Sequence, residues 1–242
     1  CRTGRTAGTV CSPSGQLIAG ARISASTQTC RGEVKLVETT ANMSGYFQLD
    51  DLAPGWTEVT ITTGTFIAVF AVEIIAGQEV PLSQEGSSKV CLPADSAQLA
   101  VLTGDYDNIE RVITELGFEH DVLCGSWESY RPALQLLMDY ERLSTYDIVF
   151  INCASGVDLR ANNPEMIVLR ENVKDYVRQG GSLYVSDLAS DFISQLWPEK
   201  VVFDVGNRGS DELDICCICT DCDDDCILDE PTPVTPQCPI PN

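Results

Sequence analysis

The sequence predicts a multidomain β plus α/β protein: an all-β unit, then a parallel-sheet α/β unit, then an acidic cysteine-rich tail. Three observations carry that prediction. Short alternating or apolar runs broken by Ser-Gly, Pro-Gly and other Gly-containing turns fill the first ninety residues. Strands and helices alternate from residue 97 to about 206. Beyond that point periodicity stops, and no Lys or Arg occurs from Asp211 to Asn242.

In the first unit (1–90) the strand-like runs are Ala21–Ser26, Phe47–Leu49, Glu58–Thr62 and Phe66–Val72. Gly20 and Gly45 suit turns with positive φ, and Pro54-Gly55 suits a turn ahead of Val59. The longest apolar stretch, Thr65 to Ala76, holds Glu73 and is too short to cross a bilayer. It reads as one or two buried strands.

In the second unit (97–206) an apolar run, Gln98–Thr103, ends at Gly104. Ile109, Val112, Ile113 and Leu116 then fall at i, i+3, i+4 and i+7, an amphipathic helix closed by Gly117. A strand near Asp121–Leu123, a helix near Ala133–Asp139 and a buried strand at Asp147–Cys153 follow. Pro164 opens a helix that ends at Gly180-Gly181. A strand at Leu183–Ser186, a helix near Phe192–Leu196 and a strand at Val201–Phe203 complete the series.

The net charge of −21 repels nucleic acid and anionic headgroups, and favours divalent cations or basic partners. Twelve cysteines beside one histidine point to an oxidising compartment. Cys11, Cys30, Cys91, Cys216, Cys217, Cys219, Cys222, Cys226 and Cys238 are the disulfide candidates. Cys1, with no leader before it, reads as the lipid-bearing cysteine of a processed bacterial lipoprotein; the alternative is a fragment that starts there. In the tail (207–242), C-x₂-C and C-x₃-C spacings would also suit zinc, but an oxidising compartment favours disulfides. Asp221, Asp223 and Asp225 are candidate calcium ligands, although the run lacks the glycine and distal glutamate of an EF-hand; the alternative is a solvated acidic linker. No other cofactor is expected.

Two resemblances add to this reading. Gly8-Thr9-Val10, Gly15 and Ala19-Gly20-Ala21-Arg22-Ile23, then Thr40 to Phe47, then Leu52-Ala53-Pro54-Gly55-Trp56 and on to Ile61, resemble the carboxypeptidase regulatory-like family. That resemblance implies a prealbumin-type β-sandwich without catalytic residues of its own. Tyr146 to Cys153, with Gly180 to Asp187, resembles the class I glutamine amidotransferase-like, flavodoxin-type fold, a three-layer domain. The family's Gly-x-Cys-x-Gly is replaced here by Ile151-Asn152-Cys153-Ala154-Ser155, and its late histidine is missing. Cys153 lacks the nucleophile elbow and a base; it is expected to be packing or a disulfide half.

Two loops remain. Asp105 and Asp107 follow the first α/β strand, where they would repel a phosphate and are expected to cap the helix. Asp105, Asp107, Asp158, Ser186 and Asp187 are expected near the carboxyl ends of the strands, as an acidic rim or a cation site. His120, beside Glu119 and Asp121, is expected at the surface with no role. The functional expectation is a non-enzymatic, cell-surface or secreted bacterial structural or adhesive protein, lipid-anchored through Cys1 and assembling with other proteins. The alternatives are a hydrolase or amidotransferase-like enzyme using the α/β cleft, and a metal or ligand sensor.

Overall fold

The computed structural model describes residues 2–83, 87, 89–126, 128–153, 157, 159 and 163–200. The whole acidic tail, the strand expected at Val201–Phe203, Cys1, and the candidate ligands Asp221, Asp223 and Asp225 lie outside the described residues. So do the six cysteines of the tail.

Two four-stranded sheets form the first unit. β1 (Gly4–Cys11) is central in one of them, antiparallel to β4 (Tyr46–Leu52) and parallel to β7 (Glu79–Pro81). Past β7, the end of β1 pairs in parallel with β8 (Val90–Cys91). The other sheet runs β3 (Val34–Thr40), β2 (Arg22–Gln28), β5 (Gly55–Thr63), β6 (Phe66–Ile74), all antiparallel. Period-two alternation turns Ile23, Ala25, Val59, Ile61, Ala68, Val72 and Ile74 inward, onto Val10, Phe47, Leu49 and Leu52 of the facing sheet. Burying each large side chain contributes about 1.5–3 kcal/mol. Gly20 and Gly45 take φ of 75° and 72°, as their turns require.

The apolar stretch expected to form one or two buried strands is half exposed. It is one strand, β6, at a sheet edge, with Ile67 and Val69 more than half exposed. β3 carried no sequence signal because its alternation is inverted: Val34 and Leu36 face solvent while Lys35, Val37 and Thr39 are half-buried.

The second unit holds β9 (Leu99–Leu102), α1 (Ile109–Leu116), β10 (Asp121–Leu123), α2 (Arg131–Met138), α3 (Tyr140–Leu143), β11 (Ile148–Ile151), α4 (Pro164–Arg178), β12 (Ser182–Val185) and α5 (Asp191–Leu196). Its described strands are all parallel, in the order β10-β9-β11-β12. Asn163 caps α4 by accepting from the Met166 N–H at 2.9 Å, with Pro164 in the first turn. α1 ends at Gly117, which takes φ of 83°.

One apolar core spans the two units. Leu99, Val101, Ile113 and Phe118 are continuous with the sandwich interior. The Ser14 N–H donates to the Leu116 carbonyl at 3.1 Å, and a Cβ on Gly117 would lie 2.9 Å from the Ser14 nitrogen. Only glycine lets that turn dock on the helix end. A disulfide between Cys11 and Cys91, joined across β1 and β8, fastens the connector to the sandwich. Among the described residues, no helix is long and apolar enough to cross a membrane.

Candidate functional site

Among the described residues three places carry chemistry-bearing side chains, and the first is the crevice at the carboxyl ends of the parallel strands. From β9 the chain moves to β10 on one side and to β11 on the other, so the switch point lies between β9 and β11. The chain fills this crevice with its own groups. A Cβ on Gly104 would lie 1.8 Å from the Cys153 carbonyl oxygen, and that oxygen accepts from the Asp105 N–H at 3.1 Å. Asn152 is fully buried and donates Nδ2 to Glu110 Oε2 at 3.0 Å and to the Asp107 carbonyl at 3.3 Å. Ser186 Oγ donates to Asp107 Oδ2 at 2.6 Å. Glu110 occupies the first turn of α1, the end of a helix dipole that attracts negative charge. The carboxylates therefore stand where an anion would.

This geometry corrects one expectation: the N-cap of α1 is Asn108, which makes no side-chain cap bond, and the Asp107 carboxylate accepts from Ser186 instead. Of the residues expected to converge, Asp107 and Ser186 meet. Asp158 and the Asp187 side chain lie outside what is described.

Cys153 follows the carboxyl end of β11 and is 1% exposed. His120 precedes the amino end of β10, so in a parallel sheet the two lie at opposite ends. A thiolate–imidazole pair needs contact distance.

The second place, at the amino ends of the strands, sequence reasoning missed. A cavity of ≈ 600 Å³ is lined by Gln98, Thr114, Glu119, His120, Asp121 and Tyr146, among others. The Tyr146 hydroxyl donates to Asp121 Oδ2 at 2.5 Å. Burial, reinforced by the Asp121 carboxylate, holds the Tyr146 phenol above its ordinary pKa. Asp147 Oδ2 accepts from the Gln98 N–H at 2.8 Å. His120 is half-buried, with Nδ1 3.1 Å from the Phe118 carbonyl, and lines this cavity from the protein surface. Beside it a ≈ 180 Å³ hollow is lined by Tyr140, Tyr146, Asp147 and Tyr176. The Tyr176 phenol, donating to the Ser182 carbonyl at 3.2 Å, is also pushed up by burial. The cavity links residues distant in sequence, which no local pattern announces. Among the described residues no group of three or more His, Cys, Asp or Glu could hold a metal ion.

The third place is the outer face of the β3-β2-β5-β6 sheet. The register puts Ile67 opposite Thr62, Val69 opposite Thr60, Ala71 opposite Glu58 and Glu73 opposite Trp56. Trp56 is 75% exposed. Hydroxyls at Ser24, Thr60 and Thr62 floor the middle of the face.

Cys11 and Cys91 are bonded to each other; Cys30, another expected half, is disulfide-bonded too. So is Cys124, which the sequence did not single out.

Residues 5–84 match the carboxypeptidase regulatory-like domain. The N-terminal unit, two packed sheets of that pattern, is such a domain, a β-sandwich-like module compatible with a surface or binding role. Among curated proteins none matches the chain. Of solved structures, a mutant catechol 1,2-dioxygenase from Acinetobacter radioresistens is 12% identical over 30% of this chain and 35% of that one, with a TM-score of 0.25. A type II cohesin–X-dockerin complex from Acetivibrio cellulolyticus is 14% identical over 78% of this chain and 99% of that one, at 0.28. A 9R-lipoxygenase from Cyanothece is 9% identical over 36% and 18%, at 0.19. The chain thus spans about a third or less of the two enzymes, and overlaps this low define no shared fold.

Proposed function

We propose that the chain is a structural or binding subunit of a bacterial surface assembly, lipid-anchored through Cys1 and not an enzyme. The observation that carries this reading is a contrast between two surfaces. The crevice where an α/β sheet would bind a substrate is packed with the protein's own Gly104, Asp107, Glu110 and Asn152. The sandwich meanwhile presents Trp56, Ile67 and Val69 to solvent on one face. Disulfide-bonded Cys11, Cys30, Cys91 and Cys124 support an extracellular or outer-membrane address.

In this reading the second unit is a non-catalytic relative of the amidotransferase-like domains, and the acidic charge disfavours nucleic acid. The tail carboxylates Asp221, Asp223 and Asp225 take calcium in the millimolar range. A second reading, a ligand-binding sensor, is favoured by the ≈ 600 Å³ cavity at the amino ends of the strands.

A non-reducing peptide map of the protein from its native envelope tests the proposal. A diacylglycerol mass on Cys1 and disulfide-linked tail peptides are expected. An unmodified Cys1 with free tail thiols would remove the anchor and the compartment together. Hydrolysis of an amide or ester substrate that disappears in Cys153→Ser would replace the subunit reading with the enzyme.

A further inference from the structure

The edge of β6 is poorly defended against pairing along most of its length. Phe66 to Val72 contains no charged residue and no proline, whereas β3, at the other edge of the same sheet, carries Lys35 and Glu38. Charges and prolines are what keep an edge from pairing with another chain. The Ile67 N–H donates outward to the Ser96 carbonyl, at 3.4 Å, which fixes the phase of the ladder. Val69, Ala71 and Glu73, in step with Ile67, therefore turn their N–H and C=O groups away from β5. Those same residues place their side chains on the outer face. Main-chain hydrogen-bonding groups and apolar side chains are thus offered along one line.

Charge decides what fits there. Arg22, on the same face, is ion-paired with Glu38. Glu58 and Glu73 are diagonal neighbours across β5 and β6, and no Lys or Arg of the described residues pairs with either. Like charges so placed repel. Trp56, directly opposite Glu73, adds an exposed indole face. Two uncompensated carboxylates around an indole make a seat for a cationic side chain, through charge attraction and the ring's electron-rich face together. The chain's net charge of −21 favours a basic partner over a second copy.

We propose that β6 and the face beside it dock an extended segment of a basic partner protein, which adds to the sheet as a strand and places a lysine or arginine over Trp56 between Glu58 and Glu73. Apolar residues of that segment lie against Val69 and Ile67. Main-chain pairing gives affinity in such a mode and the side-chain seat gives selectivity. The inference rests on the surface-subunit reading for its biological setting, but its chemistry does not need the lipid on Cys1.

The test uses the full chain and two fluorescein-labelled nonapeptides of alternating Val and Thr, one carrying a central Arg and its twin a Glu there. Anisotropy and indole fluorescence report binding. The Arg peptide is expected to bind at least tenfold more tightly, with a change in indole emission that is lost in Trp56→Phe. Ala71→Pro removes an outward N–H without touching the β5 ladder, a position where an edge strand tolerates proline; it should abolish binding. Val69→Lys should do the same by charge on the partner side, and equal melting of both variants with wild type shows that the fold is kept. Glu58→Lys with Glu73→Lys should reverse the preference between the peptides. Failure of either peptide to bind, equal binding of both, or indifference to both Ala71→Pro and Val69→Lys overturns the proposal, as does a concentration-dependent dimer that Ala71→Pro dissolves. A lipidated Cys1 with no peptide binding would sink this inference while leaving the surface reading in place.

Discussion

Phe66 of the sandwich and Phe118 of the α/β unit pack with their rings tilted by 43° and their centroids 4.6 Å apart. The pair joins two hydrophobic interiors that the sequence presents as separate runs. Phe118 is only 9% exposed, so Phe118→Ala leaves a cavity at the seam and should cost about 3–4 kcal/mol. Wild type should melt in one calorimetric transition and the variant in two. A variant that still melts in one, at an unchanged temperature, would deny the shared core.

The Cys11–Cys91 bond closes a loop with a sequence separation of 80 residues. Chain-entropy reasoning gives about 4–5 kcal/mol for a loop of that size. The double variant Cys11→Ala with Cys91→Ala should therefore show a lower urea midpoint with little change in slope. An unaltered midpoint would mean that β1–β8 pairing alone holds the connector.

Asn152 is the sharpest position in the α/β unit. Its Oδ1 is a buried acceptor without a partner, while its Nδ2 serves Glu110 and Asp107. Asn152→Asp replaces that donor with a carboxylate facing another carboxylate, and should destabilise by about 3–5 kcal/mol at pH 7. Burial raises the pKa of the new group above its unfolded value of about 3.9. The penalty is thus absent near pH 4 and grows as pH rises towards the folded pKa. Urea midpoints at both pH values check it; a deficit equal at pH 4 and 7 points to lost packing instead.

How much of this was legible in the chain varies by residue. The stripe Ile109, Val112, Ile113, Leu116 marked α1 because one helix face must be apolar, and Pro164 marked the start of α4, although the Asn163 cap beside it was not singled out. β6 was misjudged because apolar content reveals a strand but not whether anything covers the outer face of its sheet. The Trp56–Glu73 pairing needs the β5–β6 register, and the Tyr146–Asp121 bond joins residues 25 apart. Neither leaves a local trace. The helix-capping expectation for Asp107 failed because Ser186, far along the chain, competes for the same carboxylate.

Alkaline stability should follow two phenols. Burial raises the pKa of both Tyr146 and Tyr176, so the folded protein keeps protons that the unfolded chain releases. The sign is fixed by linkage: their contribution is whole below pH ~10 and is lost as pH rises beyond it. Urea midpoints from pH 9 to about 11.5 should fall in wild type and fall less in Tyr146→Phe with Tyr176→Phe. Parallel curves would assign the decline to other groups.

The covalent link at Cys11 also sets the route that mechanical load takes. Tension between the first residues of β1 and the α/β unit passes from Cys11 directly to Cys91, and bypasses the segment between them. At roughly 3.4 Å per extended residue, the separation of 80 hides about 270 Å of slack that pulling cannot release while the bond is oxidised. The outer face with Trp56 and the β6 edge lies inside that bypassed segment. A protein stretched between an anchor and an assembly would keep the face undeformed under force, and would surrender it only on reduction.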